Sequence, residues 1–136
     1  MNGEAGQKIP SAYAEALGMR LESSDDGSPV VVIDFNRNLE GRPGALHGGA
    51  ISGVLETAGY AALRHALSNQ ARAAKLKPIN ITIQFLRSGN TVRTHAVGRI
   101  TRLGRRNANV SVEAWQEDRD KPIATAIMNI LMVDTG

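Results

Sequence analysis

His47-Gly48-Gly49-Ala50-Ile51-Ser52-Gly53-Val54-Leu55-Glu56-Thr57-Ala58-Gly59 is the stretch on which the fold turns. Ile51, Leu55, Ala58 and Ala62 recur at helical spacing, and Val54 with Ala61 widens the stripe. The spacing predicts one long helix over His47–Leu67. Glycine costs a helix interior about 1 kcal/mol relative to alanine, so Gly53 and Gly59 suit a helix that other backbone approaches closely. The expectation is a helix wrapped by sheet rather than one lying on a surface.

Glu56 stands out inside this helix as the only acidic residue between His47 and Arg64. An unpaired buried carboxylate is costly. Its neighbours one turn away are Ser52 and Tyr60, either of which can bond to it. Two readings stay open: a functional carboxylate, or one that points to solvent or pairs with an arginine. The helix start carries a second candidate. Free N–H groups at a helix N-terminus attract negative charge, and Gly48 and Gly49 leave them open to a ligand. Such donors suit a polarised carbonyl and its developing oxyanion, although His-Gly-Gly also makes a plain loop-to-helix junction.

Outward from the helix, Ser11 starts a short helix that closes near Gly18. Met19–Ser23 and Val30–Phe35 read as strands across the turn at Ser24–Gly27, and Asn36–Gly44 as a loop. After Ala73 the pattern is all strand. Alternation runs from Ile79 to Leu86, then through Val92–Thr101 and Ala108–Trp115, with Ile123–Val133 last. The last strand is apolar on both faces, which predicts a central position in the sheet. Runs of strands with one long helix give an α+β fold with an antiparallel sheet.

The 136 residues make one domain, with residues 1–8 a flexible N-terminus. The absence of cysteine excludes disulfides and thiolate catalysis. A net charge of +3 without a basic, aromatic-laced run gives no reason to expect nucleic-acid binding. No apolar run approaches a membrane span and no signal sequence is visible, so a cytoplasmic protein is expected. Three scattered histidines form no metal pattern, and neither a nucleophile elbow nor a P-loop occurs. His65 and His95 read as ordinary surface residues, Trp115 and Met128 as packing or interface residues. Arg87, Arg102, Arg105 and Arg106 are candidates for phosphate contacts, since arginine binds phosphate through a planar fork.

His47-Gly48-Gly49 with Glu56 nine positions after the histidine resembles the helix signature of hotdog-fold acyl-CoA thioesterases, in particular the phenylacetic-acid-pathway (PaaI-like) and 4-hydroxybenzoyl-CoA group. Ile81-Thr82-Ile83-Gln84-Phe85-Leu86-Arg87 resembles the family's strand ending in Phe/Tyr-Leu-Arg. The resemblance implies an antiparallel sheet curled around the long helix. It implies a homodimer, often a homotetramer, with the acyl-CoA site between subunits and no cofactor or metal beyond the CoA of the substrate. By that resemblance Gly48 and Gly49 polarise the thioester carbonyl and His47 orients the loop or assists. Glu56 is general base or nucleophile, Ser52 and Tyr60 lie beside it, and the four arginines contact CoA. The chain departs from the family at Gly41, where relatives carry Asn or Gln, and at Ser88, where they carry Pro. Asn36 and Asn38 are candidates to stand in for the missing amide. A hotdog domain that binds acyl-CoA without turnover is the alternative, and a dehydratase on the same fold fits the spacing less well.

Overall fold

The computed structural model describes residue 9 and residues 11–135; the expected flexible N-terminus, residues 1–8, lies outside them. A short helix α1 (Ala12–Leu17) is capped by the Ser11 hydroxyl, which accepts from the Ala14 N–H, and is ended by Gly18 at φ 81°. Strands β1 (Arg20–Ser23) and β2 (Pro29–Ile33) follow. The long helix α2 (Gly48–Asn69) comes next, and then β3 (Ala74–Phe85), β4 (Thr94–Leu103), β5 (Asn107–Trp115) and β6 (Ala124–Asp134). All strand pairs are antiparallel, in the order β1-β2-β4-β5-β6-β3.

The sheet curls around α2, as the sequence pattern implies. Ile51, Val54, Leu55, Ala58, Ala61 and Ala62 are all buried. The close approach is made by glycine. A Cβ on Gly59 would overlap the Met128 sulfur of β6. A Cβ on Gly98 of β4 would lie 2.8 Å from Ala62 Cβ and 3.0 Å from the Ala58 carbonyl oxygen. Sheet side chains therefore reach the helix backbone at Gly59, and helix and sheet backbones meet at Gly98.

Two expectations are corrected and one, strand after Ala73, is sharpened. The Asn36–Gly44 loop contains a 3₁₀ turn, Arg37–Leu39, in which the Asn36 side chain accepts from the Asn38 N–H at 2.9 Å. Strand β3 begins before the alternation does, running through Pro78 and a bulge between Pro78 and Asn80. Proline is tolerated there because β3 is an edge strand. Strand β6 is not central; it lies between β5 and the edge. One of its faces, including Met128 and Ile130, is buried against α2, whereas Ile127 on the other is 58% exposed.

At the far side of the sheet Asp34 joins two elements, accepting from Arg93 at 2.6 Å and Arg20 at 2.9 Å. The hydrogen bond from Arg93, reinforced by Arg20, holds its carboxyl below the usual range.

Candidate active site at the helix N-terminus

The chain enters α2 through a loop fixed from both sides. The Leu46 N–H donates to Gly89 O at 3.0 Å and the His47 N–H to Leu39 O at 2.7 Å. His47 is the N-cap of α2. Its ring Nδ1 accepts from the Gly49 N–H at 2.8 Å, and its carbonyl accepts from Ala50 and Ile51. The Gly49 N–H is therefore spent on the cap. The Gly48 N–H has no partner among the described residues, which leaves it as the open donor of the Gly48–Gly49 pair. An accepting Nδ1 also leaves the ring proton of neutral His47 on Nε2. The Phe85 ring lies 3.7 Å from where a Gly48 Cβ would stand. Beside this helix start opens a cavity of about 510 Å³ lined by Gly41, Leu46, His47, Gly48, Ile51 and Phe85, among others.

Glu56 lies further along the same helix, half-buried, with no hydrogen-bond or ion-pair partner among the described residues. The arginine pairing left open by the sequence is not made. Ser52 is not its partner either, because the Ser52 hydroxyl donates to the Gly48 carbonyl at 2.8 Å. Tyr60 stays close enough to matter electrostatically. Burial, with the nearby Glu56 charge, pushes its phenol above the ordinary value against the pull of Arg64, whose guanidinium lies 5.7 Å from the ring centre.

Gly48 and Glu56 are separated by eight residues of one helix, about 12 Å at 1.5 Å per residue. A donor and a base acting on one carbonyl must both come within about 3 Å of it. Along the helix, the backbones of the two residues stand about 12 Å apart.

The arginines divide. Arg87 donates to the Pro122 carbonyl at 3.1 Å and ties the end of β3 to the loop before β6. Arg102, Arg105 and Arg106 line a cavity of about 560 Å³ with Asn80, Asn109 and Asn129. This cluster sits at the β4–β5 turn, the end of the sheet where Ala74 pairs with Asp134. The α2 N-terminus sits at the other end, beside Phe85 and Gly89. Sequence reasoning missed Arg72, whose guanidinium donates to the Gly104 and Arg105 carbonyls and braces that turn, and it missed Phe85 as a wall of the helix-start cavity. Phe85 was legible as an alternating position of its strand and as part of the Phe-Leu-Arg strand end, but not as a cavity wall.

Neither Asn36 nor Asn38 lines the cavity beside the helix start. Asn36 is used as the cap of its own turn, and Asn38 is exposed. Gly41 lies against the loop that enters α2, where a Cβ would stand 3.1 Å from His47 Cα. His95 is half-buried rather than an ordinary surface residue, stacked on Trp115 with ring centres 5.4 Å apart. His65 is exposed and Met128 is buried in the core, as read.

A family model of the thioesterase superfamily matches residues 43–123. The chain belongs to the thioesterase superfamily. The matched span holds the whole helix signature and three of the four later strands, and it supports thioester hydrolysis as the class of reaction. Among solved structures, a conserved protein of Pseudomonas aeruginosa is 26% identical with a TM-score of 0.76, covering 90% of this chain and 94% of its own. A phenylacetic acid degradation-related protein of Ralstonia eutropha is 24% identical, TM-score 0.77, with 91% of each chain covered. A Bacillus halodurans protein solved with CoA is 16% identical, TM-score 0.77, over 96% of this chain and 83% of its own. These likenesses give the superfamily member a hotdog fold. No curated protein matches the sequence significantly. No helix among the described residues is long and apolar enough to cross a membrane, and no group of metal-binding side chains occurs among them.

Proposed function

We propose that this thioesterase hydrolyses an acyl-CoA to the free acid and CoA, at sites shared by two copies paired through their β3 edges. The separation of Gly48 from Glu56 along one helix is the observation that carries this reading. Strand β3 is 12 residues long with one edge unpaired in the chain, and Ile79 and Phe85 on it are more than half exposed. Antiparallel pairing of two such edges about a two-fold axis lays the helix-start end of one sheet beside the β4–β5 end of the other. The partner's arginine cluster then comes toward this chain's Gly48, and its Glu56 approaches the same place. Residues Arg102, Arg105 and Arg106 would take the CoA phosphates. The CoA bound by the Bacillus halodurans neighbour supports that ligand class. Arg87, held by Pro122, is the least suited of the four.

In the reaction the Gly48 N–H stabilises the carbonyl oxygen as it gains charge, and His47 holds the loop that presents it. Glu56 either takes a proton from the water that attacks the thioester carbon, or attacks that carbon itself to give an anhydride that water opens. The carbon–sulfur bond breaks and CoA leaves as the thiol. Glu56→Gln is expected to lower kcat by at least about 10³-fold while leaving chain mass and CoA binding unchanged. Thiol release near the wild-type rate would sink the assignment. Gly41 favours one second reading, a domain that binds acyl-CoA without turnover, because no amide lines the cavity beside His47 among the described residues. Wild-type protein that binds CoA esters but releases no thiol from a panel of acyl-CoAs would establish it.

A further inference from the structure

Tyr13 is turned the wrong way round for a surface tyrosine. It is 50% exposed, and such a residue ordinarily rests its apolar ring on the protein and keeps its hydroxyl in water. Here the hydroxyl end is the part nearest α2. A Cβ built on Gly53 would stand 2.5 Å from Tyr13 Oη, 2.7 Å from Cε2 and 3.0 Å from Cζ. The phenol therefore lies tip-first over the bare backbone of Gly53, and only glycine admits it there. Helix α1 holds the pose. Ala14, next to Tyr13, is fully buried, the Ser11 hydroxyl caps the helix, and the Met19 N–H donates to the Ala14 carbonyl at 2.9 Å. The Tyr13 hydroxyl has no hydrogen-bond partner among the described residues, although a tyrosine O–H turned inward usually finds one.

Gly53 stands three residues before Glu56. Residues three apart on a helix have Cβ atoms about 5–6 Å from each other. A long helical side chain also leans back toward the N-terminus, onto the residues three and four before it. For Glu56 those residues are Gly53 and Ser52. The Ser52 hydroxyl is committed to the Gly48 carbonyl, and Gly53 has no side chain, so the polar group over that patch of helix is the Tyr13 hydroxyl. An unpaired carboxylate and an unpaired hydroxyl thus face the same turn of α2 without bonding to each other. A water bonded to both bridges two oxygens roughly 4.5 Å apart, a span that fits the spacing of Gly53 and Glu56.

We infer that Tyr13 is a further catalytic residue: its hydroxyl and the Glu56 carboxylate of the same chain together hold the water that attacks the thioester. The inference rests on the thioesterase reading above and takes its general-base route. The water donates one hydrogen to Glu56 and the other to the Tyr13 oxygen, which leaves a lone pair aimed at the thioester carbon. As the carbon–oxygen bond forms, Glu56 takes its proton. The carbon–sulfur bond then breaks and that proton leaves on the CoA sulfur, while Tyr13 keeps its own proton throughout. The experiment is thiol release by Tyr13→Phe, Gly53→Ala and the double variant, with Tm measured for each. Tyr13→Phe keeps the ring and removes only the hydroxyl, so kcat should fall by about tenfold or more with KM within about twofold and Tm unchanged. Gly53→Ala keeps the hydroxyl but displaces it, because the new methyl group would stand 2.5 Å from Oη and the end of the phenol can swing away. It should lose kcat to a similar extent, and the double variant should lose no more than either single one. A smaller loss in Tyr13→Phe, a loss carried by KM, or single losses that multiply in the double variant would overturn the inference. Should Tyr13→Phe fail to fold, Gly53→Ala decides alone, and wild-type kcat there would overturn it. Failure of the thioesterase reading appears differently, as no thiol release from wild type.

Discussion

His47 does two jobs with one ring. As N-cap it satisfies the Gly49 N–H, and by doing so it selects which glycine faces the cavity: Gly48. Replacing it with alanine should lower stability by about 0.5–2 kcal/mol, as for other lost caps, and asparagine, itself a good cap, should recover most of that. Denaturant midpoints of the two variants check this, and equal losses would show that the cap carries no weight. This division of labour was not legible in the sequence, where Gly48 and Gly49 looked equivalent. Glu56 was legible as the odd acid of an apolar helix, but its lack of a partner was not. Helical spacing offers Ser52 as a partner, and only the structure shows the Ser52 hydroxyl committed to the Gly48 carbonyl. The arginines show the same limit. Composition marks them as phosphate candidates, while the bond from Arg87 to the Pro122 carbonyl depends on which loop lies beside it.

The contact of α2 with the sheet is decided at Gly98, where neighbours on three sides are rigid: Ala62 Cβ, the Ala58 carbonyl and a Val110 methyl at 3.2 Å. Gly98→Ala should cost about 1–3 kcal/mol by overpacking, read as a drop in Tm with the fold retained. An unchanged Tm would mean that helix and sheet have slack there. Elements with a clean period were legible in advance, α2 from its apolar stripe and β5 from strict alternation. The start of β3 after Ala73 was legible as strand, but its alternation was not, because Lys75, Lys77 and Pro78 break the pattern while an edge position still lets them pair with β6. The place of β6 was misread for a physical reason. Two apolar faces say that both are covered, but not whether the cover comes from the same chain. The 3₁₀ turn at Arg37–Leu39 was hidden because three residues held by a side-chain cap carry no period.

Over the whole molecule, the helix start and the arginine turn stand at opposite ends of one sheet, and the carboxylate lies about 12 Å down the helix from the donor. In the proposed reading, a compact site assembles from these parts when a second copy runs the other way. The sequence resemblance pointed to such sharing, and the geometry of the single chain supplies the reason for it. The direct test is complementation between two inactive variants. Glu56→Gln removes the base, and Gly48→Pro removes the donor at the first helical position, where proline is tolerated. Each should be inactive alone. Mixed by co-expression, half the dimers pair one variant with the other, and one of their two sites receives an intact Gly48 and an intact Glu56 from different chains. About a quarter of wild-type activity per site is then expected from statistical pairing in a two-fold dimer. Mixed dimers that form, as shown by differential tagging, yet release no thiol would contradict a site shared between copies.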